Sequence, residues 1–552
     1  MKKINNILYF RELPNPIIRS WVIGVVACTI FVSIINAQWL ECPEEERRIL
    51  IGCLKSVMVT DENGGAIVVG EALSTTPYLS AQKVDQNGYS VWDPDNYGLF
   101  VSPIGDDQTD ARIVSDGEGG VFIGFNSYTL LGSVEDDFGH IHELNNREVI
   151  IQHIGSDGEI LWNNGISLAE ADTNKQRFQG IVSDGEDGVL IVYSNNNEIN
   201  FDSTDYDNYT QPGIFMQRLD EDGNKMFEDL GIRIIEDWNS VGYFNSSADG
   251  NSSVIDAGGN NIYIVDTDSI YNYNNMGYWL WTIPNNFGFE VDIGFNSEDN
   301  GIILTGDYWY GYGVDRRYVL KSQKIVNNGN LIWGEGGIVL DTMYVKWAHN
   351  AVTNGNSGAI YTFTNIDSVD KLININEFGN VIWNNEVLVN GSSTLTSDFN
   401  DGVVFYSPSP LTPELDFNVW RTTGGDQHLW GEKGITMSIN SYGSPVIIAN
   451  PNGGLIISRE QASTAGFGRG IYLKKVDQWG ILGGDDNYDC GDADLNLDNE
   501  IDVLDIVRLV NYILEIDILT FCGWEICAAD ANVDHSIDVL DIVIIVNIIL
   551  NY

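Results

Sequence analysis

Between residues 56 and 486 the chain repeats a two-part unit, and this repeat restricts the fold more than any other feature. One part is an acidic, glycine-bearing turn running into a β-type segment: DENGGAIVVG, SDGEGGVFIGF, SDGEDGVLIVY, EDNGIILTG, NGNSGAIYTF, DFNDGVVFY and NPNGGLIIS. The other is a β-type segment, a turn and then Gly-x-x-x-Trp, as in AQKVDQNGYSVW, IIQHIGSDGEILW, KSQKIVNNGNLIW and LININEFGNVIW. MQRLDEDGNKMF carries Phe in the Trp position, GYWLW is a terser copy, TTGGDQHLW a looser one and KKVDQWGILGG a degenerate last one. The anchors Trp92, Trp162, Phe227, Trp281, Trp333, Trp383 and Trp430 are separated by 70, 65, 54, 52, 50 and 47 residues. Counting the last copy, the pattern makes eight units of two hairpins each.

Four short strands in a unit of about 50 residues, with a periodic aromatic, resemble the blades of a β-propeller. The turn glycines supply the positive φ that tight hairpins need. The recurrent Trp is expected to plug between neighbouring sheets, where a large flat ring buries the most area. A row of β-sandwiches would lack so short a period, and a β-solenoid would repeat faster. The expected fold is therefore mainly β, a seven- or eight-bladed propeller over residues 56–486. The repeat is also loosely similar to quinoprotein-type propellers, whose units end in a comparable Gly-to-Trp motif; no cofactor site carries over from that likeness.

The tail, residues 487–552, has a different character. The loop that starts at Asp494 within DADLNLDNEIDVLDIVRLVNYIL recurs 36 residues later from Asp530 in DANVDHSIDVLDIVIIVNIIL. Asp494, Asn496, Asp498, Asp502 and Asp505 stand at positions 1, 3, 5, 9 and 12 of one loop, and Asp530, Asn532, Asp534, Asp538 and Asp541 at the same positions of the other. Alternate oxygens of a tight loop converge on one point, and a hard cation such as calcium takes about six to eight oxygens at about 2.3–2.6 Å. Glu500 and Ser536, at position 7, would each add a backbone carbonyl, and Ile501 and Ile537 at position 8 would pack the loops together. Two calcium ions are thus expected. Ile506, Leu509, Val510, Ile513 and Leu514, then Ile542, Ile545, Val546, Ile549 and Leu550, fall at helical spacing after each loop.

The doubled loop resembles the type I dockerin family. Asp closes each loop at position 12, and no helix-length segment precedes the first, only the acidic run GGDDNYDC. Position 6, usually Gly, is Asn499 and His535, which departs from the family pattern and predicts weaker calcium binding without its loss. The resemblance implies a small α-helical calcium-binding module with one helix after each loop, docking calcium-dependently onto a cohesin-type domain of a scaffold or surface protein. The family's partner-reading positions fall on Val503, Leu504, Val510 and Asn511, and on Val539, Leu540, Val546 and Asn547. The two sets are identical, so the module would have a pseudo-twofold docking face.

Residues 1–37 read as an export signal. Lys2, Lys3, Arg11 and Arg19 precede the apolar core WVIGVVACTIFVSII, and Asn36-Ala37 offers a cleavage point before Gln38. Residues 38–55 form an N-terminal segment. No later run reaches the length of a transmembrane helix, so no membrane span is expected after cleavage. With 28 basic against 79 acidic residues the net charge is −51, which argues against nucleic-acid partners and anionic membrane surfaces. Outside the signal, Cys42 and Cys53 could close one disulfide and Cys490 could pair with Cys522 or Cys527, in the oxidising compartment that export implies.

Chemistry within the repeats is less legible. The insert VEDDFGHIHEL gathers Glu135, Asp136, Asp137, His140, His142 and Glu143, and FDSTDYDNY gathers Asp202, Asp205 and Asp207; both read as loops with a metal site as the alternative. The acidic turns favour Asp, Asn and Gly for backbone reasons alone. Tyr308, Trp309, Tyr310 and Tyr312 could stack on sugar rings. No nucleophile elbow, zinc-binding or phosphate-cradling motif appears. The expected function is a secreted binding propeller anchored through its tail and linked to polysaccharide; the alternative is a hydrolase of O-glycosyl bonds carried by the same tail.

Overall fold

The computed structural model describes residues 47–103, 107–135, 141–168, 176–185, 187–195, 213–235, 254–258, 261–266, 269–297, 299–311, 316–343, 349–386, 395–397, 402–408, 416–422, 435–438, 445–449, 454–461, 469–477, 482, 493–495, 501–514, 528–529, 531–532 and 537–551. Its strands form eight four-stranded antiparallel sheets. The inner strands of blades 1 to 8 are Cys53–Thr60, Asp107–Ser115, Gln176–Ser183, Val254–Asp256, Glu290–Asn296, His349–Thr353, Leu395–Ser397 and Val446–Ala449. Each lies against the inner strand of the next blade, and that of blade 8 lies against that of blade 1. The ring is closed, and it is an eight-bladed β-propeller.

Closure uses a strand from the front of the chain. Arg47–Ile51 pairs antiparallel with Gly470–Val476 and becomes the outer strand of blade 8. Propeller strands therefore begin before residue 56, where the repeat becomes visible, and the degenerate copy KKVDQWGILGG supplies the end of an intact third strand. Strands Ala66–Ala72, Leu79–Val84, Val189–Asn195 and Gly213–Leu219 are buried along their whole length, because neighbouring blades cover both faces. That explains the near-continuous apolar runs AIVV and VLIVY, in place of strict alternation, in two of them.

The anchor aromatics join one blade to the next. Trp92 packs with Ile67 and Val69 of its own blade and with Val121, Ile123 and Ile154 of blade 2. Its indole Nε1 donates to the Ser156 carbonyl in the outer turn of that blade at 3.1 Å. Trp162 donates to Glu221 O at 3.1 Å, Trp281 to Asn327 O at 2.6 Å and Trp333 to Glu377 O at 3.0 Å, each one blade further on. The glycine of the receiving turn lies under the ring. At Gly158, φ is +87° and a Cβ would stand 2.8 Å from Trp92 Cδ1. Gly and Trp of one Gly-x-x-x-Trp motif thus serve two different joints: the glycine accepts the ring from behind and the Trp reaches forward. Between blades 8 and 1, Lys475 Nζ donates to Gln86 O, the equivalent carbonyl, at 3.3 Å.

A buried glutamine holds the anchor segment in several blades. Gln82 Nε2 donates to Asp93 O at 2.6 Å, while its Oε1 accepts from the amides of Lys83 at 3.1 Å and Trp92 at 3.2 Å. Gln217 and Gln323 make corresponding bonds around Phe227 and Trp333. The acidic turns are structural in the same sense. Asp61, Asp116 and Asp184 each accept amide bonds inside their turn and pair with Lys83, His153 and Arg218 of their own blade, at 3.8, 3.0 and 2.8 Å.

Among the described residues of the tail are two helices, α1 (Val503–Ile513) and α2 (Val539–Asn551), which contact each other. Residues 1–46, with the expected signal and Cys42, lie outside the described residues, as do Cys490, Cys522 and Cys527. Cys53 is a free thiol, buried in the core shared by blades 1 and 8.

Trp333→Ala should cost about 3–5 kcal/mol by opening the joint between blades 5 and 6. Trp162→Phe, which keeps the ring and loses the donor, should cost about 1 kcal/mol; denaturant midpoints of the full chain distinguish the two. Burial at the start of the blade 6 inner strand lowers the His349 imidazole to about 4 from its usual 6.5. The unfolded chain then binds the extra proton first, so stability is full above 6.5 and falls as pH drops toward 4, by about 3 kcal/mol. His349→Gln should flatten that slope in pH-dependent unfolding.

Candidate functional site

The tail brings its two loop-closing aspartates into matching environments. Asp505 and Asp541 are fully buried. Asp505 accepts the amide of Leu495 on Oδ1 at 2.9 Å and that of Asp502 on Oδ2 at 2.8 Å. Asp541 accepts the amide of Asn532 at 3.2 Å and that of Asp538 at 2.8 Å. Asp502 and Asp538 cap the helices, each accepting the amide two residues on, Leu504 and Leu540, at 2.7 Å. Position 9 therefore starts each helix, and position 12 folds back to tie that start to the beginning of its loop.

Burial is the chief cause that raises the Asp505 carboxyl above its ordinary value, and the negative charges of Asp494 and Asp502 add to it, against the two amides that favour the ionised form. A buried carboxylate among carboxylates fits a bound cation, which would remove the repulsion. Asp494, Asp502, Asp505, Asn532, Asp538 and Asp541 are in the described loops; Asn496, Asp498, Glu500, Asp530, Asp534 and Ser536 lie outside the described residues. Among the described residues no three His, Cys, Asp or Glu side chains gather as a metal cage. The described residues supply part of the oxygen set that a calcium ion would need, and calcium would bring charge neutralisation to the loop.

Behind the loops the two copies share one core. Leu509 and Ile545, at equal positions of α1 and α2, are fully buried with Ala493, Leu495 and Ala529, and Ile501, Ile506, Ile513, Ile537, Ile542 and Ile549 pack on them. The loop isoleucines thus pack as the sequence suggests. The expected helix stripe is narrower than its spacing implies: Leu514 and Leu550 are exposed, and Val510 and Val546 are half-buried. The opposite face is bare. Val503 is 62% exposed and Val539 61%, Leu504 60% and Leu540 54%, with Val507 and Val543 exposed one turn on. Asn511 is half-buried and Asn547 exposed. These side chains do not pack the helix pair.

The remaining sequence candidates are less assembled. His142 and Glu143 pair with Val134 and Ser133 in a long blade 2 hairpin, Val121–Glu135 with Ile141–Ile154. Asp136, Asp137 and His140 lie outside the described residues, as do Asp202, Asp205, Asp207 and Tyr312. A polar group that the sequence does not reveal sits where blades 8, 1 and 2 meet. Glu71 accepts Lys55 Nζ at 2.7 Å and the Asp110 amide at 3.1 Å, and Glu460 accepts the Ser56 amide at 3.0 Å. Lys55 and Asp110 take positive φ, 51° and 57°, where their inner strands bulge. These residues come from distant repeats, so no local motif announces them, and the chain's own amides and ammonium engage the carboxylates.

No family model matches this chain, and no curated protein matches it. Among solved structures it is similar to the WD40 domain of SCAP from fission yeast, at 10% identity over 81% of this chain and 95% of that one, with a TM-score of 0.40. It is similar also to the β-propeller domain of the Trilobed protease from Pyrococcus furiosus, at 13% identity over 69% and 98%, TM-score 0.30. A third is a protein of unknown function from Bacteroides caccae, at 12% identity over 49% and 88%, TM-score 0.23. Likeness at this level assigns no activity; the propeller follows from the sheet order and the closed ring of inner strands.

The raised Asp505 pKa carries a prediction. Between 3.8 and the raised value the folded module keeps a proton that the unfolded chain has lost, so metal-free stability is full below 3.8 and falls as pH rises through that window. Calcium holds the ionised form and should reverse the slope, with acid displacing the ion. Circular dichroism of residues 487–552 in chelator and in calcium, from pH 7 to 4, checks both signs.

Proposed function

We propose that residues 487–552 are a calcium-folded docking module that attaches an exported propeller to a cohesin-type domain on a scaffold or cell surface. The propeller is the binding domain, linked to polysaccharide. The observation that carries this reading is the bare row of Val503, Leu504 and Val507, repeated at equal offsets by Val539, Leu540 and Val543, opposite a core that the two helices already fill. Exposed valine and leucine in an otherwise strongly acidic chain are costly in water, and a partner that covers them recovers that free energy. Each row begins in the first helical turn, which also carries the loop-closing aspartate, so an ion in the loop would set the position of the row.

The experiment is capture of the full chain on immobilised type I cohesin domains in calcium and in chelator. Capture should occur in calcium and be lost in chelator. Val503→Asp with Leu504→Asp should leave capture through the second copy, whereas adding Val539→Asp and Leu540→Asp should abolish it. Capture that ignores calcium, or survives the fourfold change, contradicts the reading.

A further inference from the structure

The second strand of blade 5, Ile302–Tyr310, is buried through Asp307 and then exposed at Tyr308, Trp309 and Tyr310. Those three residues still pair with the third strand, Arg317–Ile325: Tyr308 opposite Val319, Trp309 opposite Tyr318 and Tyr310 opposite Arg317. Successive side chains alternate between faces and opposed residues share one. Tyr308, Tyr310 and Arg317 therefore stand on one face, and Trp309 and Tyr318 on the other. The end of this hairpin is a short ribbon on which Tyr308, Trp309 and Tyr310 are exposed. The fourth strand, Ile338–Met343, pairs with Tyr318 and Val319 behind them, and Tyr318 is half-buried against the core of blades 5 and 6, so only the Tyr310–Arg317 rung is two strands wide.

The stretch beside these rings is richer in cations than the rest of the chain, with Arg316, Arg317 and Lys321 against Asp307 and Asp315 between residues 307 and 321. The Arg316 guanidinium lies 4.5 Å from the Trp309 ring centroid. Lys321 Nζ stands 5.6 Å from the Tyr308 ring and 5.8 Å from the Phe289 ring, and donates to Phe287 O at 3.2 Å. Arg316, Arg317 and Lys321 fall within six residues in a chain with 28 basic residues against 79 acidic ones. Asp307 is buried beneath the ribbon, and Asp341 stands opposite Leu320 with its carboxylate accepting the Thr342 amide. Charges more than about 8 Å away are largely screened at physiological salt, so this local field, and not the net charge, meets a ligand.

We propose that this ribbon is a binding site for an anionic polysaccharide, one bearing carboxylate or sulfate groups. Flat exposed rings offer stacking area to the apolar faces of sugars, as they do to other flat ligands. Arginine supplies the planar pair of donors that matches a carboxylate or sulfate in two-point fashion, which lysine cannot. Rings and cations sit side by side along this exposed hairpin end, which suits an extended polymer lying across it. The site rests on the reading of the propeller as a binding domain and gives that domain its ligand class.

The test is affinity electrophoresis of the full chain in native gels containing polygalacturonate, a sulfated polysaccharide or a neutral glucan, with Trp309→Ala and the double variant Arg316→Ala/Arg317→Ala. Both variants should keep the parent's thermal midpoint, which separates a binding defect from misfolding. Retardation is expected in the anionic gels, relieved by added salt, and each variant should bind about tenfold more weakly. The same retardation is expected in chelator, since rings and guanidinium groups, and not a cation, would hold the ligand. Failure here with calcium-dependent cohesin capture intact overturns the ribbon alone; loss of capture with retardation intact overturns the docking module alone. No retardation in either anionic gel, equal retardation by neutral glucan, retardation that both variants retain, or comparable retardation by single-stranded oligothymidylate would each overturn the site.

Discussion

The propeller depends on a forward-reaching aromatic. In blades 1, 2, 4 and 5 the sheet ends in a ring that leaves its own blade, covers the glycine of the next outer turn and donates its indole hydrogen to that turn, as Trp92 does to Ser156 and Trp333 to Glu377. A four-stranded sheet has two apolar faces and cannot be stable alone, so each blade needs both neighbours. The anchor fixes how those neighbours meet. Phe227 performs the packing without the donor, and Lys475 supplies a donor without the ring, so the two components of the joint are separable in this chain. The last gap is closed by Arg47–Ile51, which makes the fold depend on its two distant ends as well as on its repeats.

The tail solves a different problem with the same device of duplication. A module of about 65 residues has little core, and here the core is one row of Ile, Leu and Ala shared by two equivalent halves. What such a module lacks in burial it can gain from a metal, provided its loops present oxygens close together. Asp505 and Asp541 are buried, bonded to amides at both oxygens, and placed at the foot of helices whose outer faces are apolar and bare. Under the proposed docking function, two carboxylates would couple folding, cation and docking row.

Much of this is legible in the sequence, for physical reasons that also mark where legibility stops. Gly-x-x-x-Trp is local, so the joints and the hairpin rhythm can be read directly. The blade number is ambiguous because RRILI, the strand that completes blade 8, carries no repeat motif. In AQKV the polar residues look like a solvated face, yet Gln82 and Lys83 are buried, because both faces of that strand are covered and their polar ends bond within the fold. The tail's stripe is half legible: spacing finds Leu509 and Ile545, but cannot tell that Leu514 and Leu550 stay exposed. Pairings between distant repeats, such as Ser56 with Glu460, leave no local trace.

Calorimetric titration of the full chain with calcium, beside Asp505→Asn, Asp541→Asn and the double variant, tests the central claim most directly. The account predicts two sites above any weak background from the acidic surface, one site in each single variant and none in the double. An unchanged isotherm in the double variant would contradict it, and would leave the paired aspartates as helix-tying carboxylates alone.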